Sequence, residues 1–376
     1  MEKEEKSVNL YTLPTGEKVH RYQKSLVIPF TGKRSVLSTS HINGGYQENL
    51  KAVFNYDSNP GAGMACTMKA ETIYEHMKLI ACEIGLDPKT TAGIATAASM
   101  DNVAIHAESF EEIEVTAIVT GGIEVNGGRV GDPASWHEKN GKHEQVKPGT
   151  INIMLYINGN LPAETMTRAL VTCTEAKTAA IQELMEGSKY SNGLATGSGT
   201  DGTIIIANAE SGNTYNYAGK HCKLGELIGR AVKPAVKEAL FMQTGLSPKL
   251  QKSVIRRTTR FGISQEKLWQ NFARKDQVIK PDFIEALEEI DQIPELVVST
   301  ILLVHLLDEL NWGLLSSSEI ESQILKQFKQ MADSLDIEME VSLSGSQDKE
   351  SVIEKSIQSL SQILNAGIER RKLCTE

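Results

Sequence analysis

Glycine is spread so unevenly along this chain that two architectures are implied. Of 30 glycines in 376 residues, 25 lie between Met1 and Thr244 and only 5 between Gly245 and Glu376. Glycine opens tight turns and weakens helix interiors. The first stretch therefore reads as short β-rich runs with turn punctuation, the second as helices. Candidate strands are Ser25–Phe30, Ser35–Thr39, Lys51–Tyr56, Thr91–Ala97, Glu114–Thr120, Thr150–Tyr156 and Thr203–Ala207. In Thr150–Tyr156, Ile151, Ile153 and Leu155 share one face and Asn152, Met154 and Tyr156 the other. Asn160 as a cap and Pro162 then start a helix running to about Glu186. With Thr203–Ala207 this makes a βαβ unit. The expected class is α/β: a β-sheet core covered by helices over residues 1–244, followed by an all-helical C-terminal region over 245–376. Candidate helices there are Ser264–Arg274, Pro281–Asp291, Pro294–Leu310, Ser318–Leu335 and Lys349–Lys372, with Ser342–Asp348 as a polar loop. That region carries no recognisable catalytic motif.

Charge and cysteine usage narrow the function classes. With 39 basic and 48 acidic side chains the net charge is -9, and the cationic field that a phosphate backbone needs is missing, so a nucleic-acid partner is not expected. Met1–Lys6 is too charged for a secretory signal. The most apolar stretch, Val297–Leu307, falls short of the ~20 residues that span a bilayer. Neither export nor membrane insertion is expected. Cys66, Cys82, Cys173, Cys222 and Cys374 are odd in number and contain no Cys-x-x-Cys pair, which fits a reducing cytoplasm. No metal-spaced set, His-Glu-x-x-His or Gly-x-Ser-x-Gly motif occurs.

Several residues could still carry chemistry. Lys177 sits in the apolar stripe Met166, Leu170, Cys173, Ile181 and Leu184 of the 162–186 helix. Either its stem packs while the ammonium reaches water, or it lines a cavity and pairs with an acid or a substrate carbonyl. Glu175 falls on nearly the opposite face, where a solvated carboxylate is common. The loop Thr196–Gly202 precedes a strand and resembles an anion nest, while a tight turn closed by an Asx bond from Asp201 explains it equally well. Asn43, Asn126, Arg129 and Asp132 lie in Gly-rich loops that suit either hydrogen bonding to a ligand or hairpin turns. His41, His106 and His221 could each serve as acid or base, although a lone histidine is more often structural.

Taken in order, His41–Gly45, Val115–Gly122, Arg129–Asp132, Gly149–Ile153, Thr174–Thr178, Ala195–Asp201 and Tyr217–Gly229 resemble the adenosylcobinamide amidohydrolase family of corrinoid salvage. The departures are small: glycines at 121, 127 and 128, Val130 for alanine and Ser198 for threonine. The resemblance covers most of the chain between Ser35 and Leu240 and leaves the tail after Gly245 outside. It implies hydrolysis of the amide joining aminopropanol to a corrin side chain, with no resident cofactor because cobalt arrives inside the corrinoid substrate. On this footing Asp201 or His221 serves as base and acid, Lys177 or Asn152 supports the oxyanion, and Glu175 is a further catalytic candidate. Asn43, Asp132, Asn152 and Thr200 are candidates for substrate binding, and a covalent route through Thr200 or Ser198 stays open. A non-catalytic corrinoid carrier using the same loops is the alternative reading. A nucleotide site at Thr196–Gly202 ranks below both, and oligomeric state, a homo-oligomer included, is left open.

Overall fold

The computed structural model describes residues 7–61, 68–134, 137, 149–273, 276–343 and 348–373. Met1–Lys6, Cys66, Arg274, Cys374 and part of the 342–348 stretch lie outside them. In chain order the first strands are β1 (Val8–Thr12), β2 (Lys18–Tyr22), β3 (Ser25–Pro29), β4 (Arg34–Ser38), β5 (Gly45–Gln47) and β6 (Ala52–Asp57). Helix α1 (Ile73–Glu83) leads to β7 (Thr91–Thr96), β8 (Ala104–Phe110), β9 (Ile113–Gly122), β10 (Gly127–Gly128) and β11 (Thr150–Ile157). Then come α2 (Ala163–Glu183), β12 (Gly197–Ser198), β13 (Gly202–Asn208) and α3 (Lys223–Thr244).

These strands form two principal sheets, ordered β1-β2-β3-β6-β7 and β5-β4-β13-β11-β9-β8, and a small β10-β12 ribbon. Each principal sheet holds one parallel pair, β6 with β7 and β11 with β13. Parallel neighbours need a long crossover; α1 supplies the first and α2 the second. The α/β expectation and the βαβ unit hold. The helix start is corrected: Pro162 occupies the cap position without any side-chain cap bond, and Asn160 Nδ2 instead donates to Thr214 Oγ1 at 3.0 Å.

All eight residues of β11 are buried, and the alternation read from sequence explains how. Ile151, Ile153, Leu155 and Ile157 pack with Met166, Ala169, Cys173 and Ile181 of α2 and Leu227, Ile228, Ala231 and Val232 of α3. On the opposite face, Met154 and Tyr156 join Ile204 and Ile206 against Leu26, Ile28 and Val53 of the other sheet. Helix α1 covers that sheet's far side through Met77, Ile80 and Ala81 on Phe54 and Val27. The layers are therefore helix, sheet, sheet and helices, so half of each sheet is covered by the other sheet.

The chain divides into two compact units, Met1–Tyr190 with Leu194–Ser247, and Ser191–Gly193 with Pro248–Glu376. The second unit contains α4 (Val254–Thr258), α5 (Gln265–Asn271), α6 (Lys280–Asp291), α7 (Pro294–Asn311), α8 (Ser317–Ser334) and α9 (Lys349–Leu373). Pro281 and Pro294 lie in first turns, where no amide bond is lost. Its own core gathers Phe283, Leu287, Leu303, Leu307, Ile324, Phe328, Ile363 and Leu364. No single helix among the described residues is long and apolar enough to cross a membrane.

Candidate active site

The crossover brings distant loops to one edge of the six-stranded sheet, where β9 ends and β11 and β13 begin. Thr150 pairs with Gly122 and Asn152 with Gly202. The ribbon β10-β12 joins the loop after β9 to the Thr196–Gly202 loop through Gly127 with Ser198 and Gly128 with Gly197. Beside it opens a cavity of about 540 Å³ lined by Asn126, Arg129, Val130, Asp132, Thr174, Lys177, Thr178, Tyr190 and residues 196–200.

At its floor Lys177 Nζ donates to Asp201 Oδ2, and both side chains are 12 % exposed. Asp201 Oδ2 also accepts from Ser198 N at 3.1 Å, while Oδ1 accepts from Ile151 N at 2.9 Å and Ser198 Oγ at 2.7 Å. Four donors thus converge on a carboxylate that has about four lone-pair sites, so it is fixed in place and fully engaged. Gly197 is required beneath it: a Cβ there would fall on Asp201 Oδ2 and lie 2.6 Å from Lys177 Nζ. The lysine in an apolar helical stripe is therefore a cavity-lining group with an acidic partner.

Hydroxyls surround the pair. Thr200 Oγ1 donates to Gly149 O at 2.9 Å and hydrogen-bonds Thr150 Oγ1, and Thr178 Oγ1 donates to Thr196 O at 3.2 Å. The opposite wall is held by Asp132, whose Oδ2 accepts from Arg129 N at 2.8 Å and Ser188 Oγ at 2.6 Å. Val130 N donates to Thr196 Oγ1 at 3.0 Å. This wall ends in the exposed Val130 side chain and the Tyr190 ring.

Of the eight site residues read from sequence, Lys177, Thr200 and Asp132 line this cavity, and Asp201 lies directly behind it, bonded to Lys177 and Ser198 of the lining. Asn152 lies beneath it, 0 % exposed: Nδ2 donates to Asn55 Oδ1 and Ala95 O, and Oδ1 accepts from Gly202 N at 3.0 Å. Both amide hydrogens are used, so Asn152 positions the residue after Asp201 and has no donor left for an oxyanion. Asn43 is placed elsewhere; at φ 50° its Nδ2 donates to Pro88 O and Thr91 O, both at 2.8 Å. Glu175 and His221 are exposed and line a different cavity, with Glu175 paired to Lys220 at 3.2 Å. Arg129 and Asn126, read from sequence as possible ligand-binding residues of a Gly-rich loop, also line this cavity, whereas Thr150, Thr178, Tyr190 and Val130 were not given a site role by sequence. Thr150, Thr178 and Val130 stood in stretches that carry the family resemblance, and Tyr190 had no signal.

One turn before Lys177, burial pushes the Cys173 thiol up to about 12, against the opposing pull of the Lys177 charge. A thiol with so high a pKa stays protonated and unreactive at neutral pH. Iodoacetamide at neutral pH is expected to modify the exposed Cys82 and spare Cys173, as peptide mapping of the labelled native protein would show.

A serine hydroxyl, a carboxylate and a lysine ammonium gathered beside one cavity are groups that acyl chemistry can use. The chain belongs to the adenosylcobinamide amidohydrolase family, which matches residues 10–248. It is 37% identical over 231 residues to the uncharacterized protein MJ1613 of Methanocaldococcus jannaschii, a match covering 58% of this chain and 87% of that one. Among solved structures it is similar to a Burkholderia sp. beta-aminopeptidase, at TM-score 0.31 and 12% identity, covering 60% of this chain and 80% of that one. It is also similar to the PH0078 protein from Pyrococcus horikoshii OT3, at TM-score 0.30 and 13% identity, covering 69% and 92%. Likenesses this loose carry no weight for the site.

Proposed function

We propose that this chain hydrolyses the amide between the corrin side chain and aminopropanol in adenosylcobinamide, giving adenosylcobyric acid and free aminopropanol. Family membership supports the reaction type. The observation that carries the assignment to a place is the Lys177–Asp201–Ser198 cluster at the floor of a cavity inside the family-matched span. In this reading the cobalt is the substrate's own.

Ser198 Oγ attacks the amide carbon and its proton passes towards Asp201 Oδ1, to which it already donates. The Lys177 ammonium, held by Asp201 Oδ2, stabilises charge growing on the carbonyl oxygen. The carbon–nitrogen bond then breaks, the amine leaves with a proton, and water cleaves the Ser198 ester. Substrate groups that meet Lys177 or Ser198 loosen the carboxylate's full set of bonds, so the charge is released where the chemistry occurs. Incubating the full chain with adenosylcobinamide is expected to release aminopropanol and adenosylcobyric acid in equal amounts, measured by chromatography. Tight corrinoid binding without any release identifies a carrier and sinks the hydrolase reading.

A further inference from the structure

The Tyr217–Gly229 motif takes no part in the cluster described above. Its first residues face α2 across a separate cavity of about 660 Å³. Three features of this cavity have no function within the fold. Tyr217 is 79% exposed and Val171 41% exposed, both on the lining. Arg168 and His221 make no ion pair among the described residues. Thr165 is 1% exposed, and its Oγ1 has no hydrogen-bond partner in the protein, a state that costs free energy unless water or a ligand relieves it.

The loop carrying Tyr217 is fixed. Thr172 Oγ1 donates to Ala218 O at 2.7 Å and Cys222 N donates to Gly219 O at 3.0 Å. Gly219 O presses on Gly225 of α3, where a Cβ would also lie 2.8 Å from Lys220 N. The exposed aromatic ring is thus presented on a rigid backbone. The lining carries two cations, Arg168 and Lys220, and two carboxylates, Glu164 and Glu175. Glu175 is matched by Lys220, and Glu164 lies in the first turn of α2, where the helix N-terminus offsets a carboxylate. The Arg168 guanidinium, one turn after Glu164, makes no ion pair among the described residues, so its N–H fork is open to a ligand.

We infer that this cavity binds a planar aromatic anion, its ring against Tyr217 and Val171 and its anionic group on Arg168. Guanidinium favours phosphate and carboxylate alike through paired N–H donors, and the Tyr217 ring and Val171 give a ring two apolar surfaces among otherwise mostly polar lining residues. The site is independent of the hydrolase reading and is tested without corrinoid. Calorimetric titration of the full chain with AMP, benzoate and adenosine is expected to give saturable binding of AMP or benzoate, at least about tenfold tighter than adenosine. The ranking of the first two tells phosphate from carboxylate. R168Q and Y217A, both at exposed positions that hold no part of the core, are each expected to weaken that binding about tenfold, while K177M leaves it unchanged. Absence of saturable binding at millimolar AMP and benzoate overturns the assignment. So does equal binding of adenosine, or affinity lost in K177M and retained in R168Q.

Discussion

Lys177→Met is expected to lower the rate of aminopropanol release by about 10²–10³-fold while the protein stays folded. Methionine keeps the stem that packs in the α2 stripe and removes only the ammonium. Asp201 then retains Ile151 N, Ser198 N and Ser198 Oγ as donors, so the loop holds its shape. What disappears is the positive charge facing the carbonyl oxygen, which acts only as charge develops, and the loss should fall on kcat with KM little changed. Lys177→Arg is not expected to restore the rate, because a planar fork needs more room than a point charge and Nζ already lies against Gly197. Asp201→Asn should be worse for both rate and folding, since the new amide nitrogen faces a donor whichever way it turns. Steady-state kinetics on adenosylcobinamide, with circular dichroism as the folding check, measure all three. Near-parental kcat in Lys177→Met would remove this cavity as the place of reaction.

The pair was half visible in the sequence, and the limits of that view are physical. Lys177 stood out because a cation interrupted an apolar 3.6-residue stripe, and Asp201 because it closed a Gly-rich loop before a strand. Their contact was not legible, since it depends on α2 crossing over the sheet and on β10 pairing with β12, two residues against two. Asn152 shows the opposite limit. Alternation placed it correctly on the second face of β11, but one sequence could not reveal that a second sheet covers that face and consumes both amide hydrogens. Helix α3 was missed for a local reason: Gly225, Gly229 and Pro234 depress helix propensity within Lys223–Thr244. Burial of Leu227, Ile228, Ala231, Val232, Ala235 and Val236 against the sheet outweighs it. Missing α3 also hid the setting of His221, which directly precedes its cap residue and belongs to the second cavity. The helical tail, with few glycines and clear proline starts, was the most legible part.

A second large effect is expected far from either cavity, where the first sheet's turn meets the second sheet. Glu17 and Arg34 form an ion pair at 3.0 Å with side chains 0 % and 2 % exposed. Glu17 also accepts from Thr15 Oγ1 at 2.7 Å and Thr31 N at 3.1 Å, and Arg34 Nη1 donates to Asn208 Oδ1 at 3.0 Å. Thr15 Oγ1 in turn bonds the Tyr156 hydroxyl at 2.7 Å, and burial pushes that phenol up to about 12, so it remains neutral. Glu17→Ala leaves the buried guanidinium with only the half-exposed Glu210 carboxylate, 3.5 Å away, as an acidic partner, and Arg34→Met leaves the buried Glu17 carboxylate without its cation. Each is expected to cost about 3–5 kcal/mol, the Glu17 change at the lower end because Glu210 remains, since the desolvated charge left behind has lost its buried partner. The double variant Glu17→Leu with Arg34→Met removes both charges and should lie closer to the parent than either single change, since a desolvated pair gains little over apolar side chains of similar volume. Urea unfolding, together with hydrogen exchange of the β11 and β13 amides, reads the difference. Single variants shifted by less than about 1 kcal/mol would mean that water reaches this pair in solution and that it behaves as a surface ion pair.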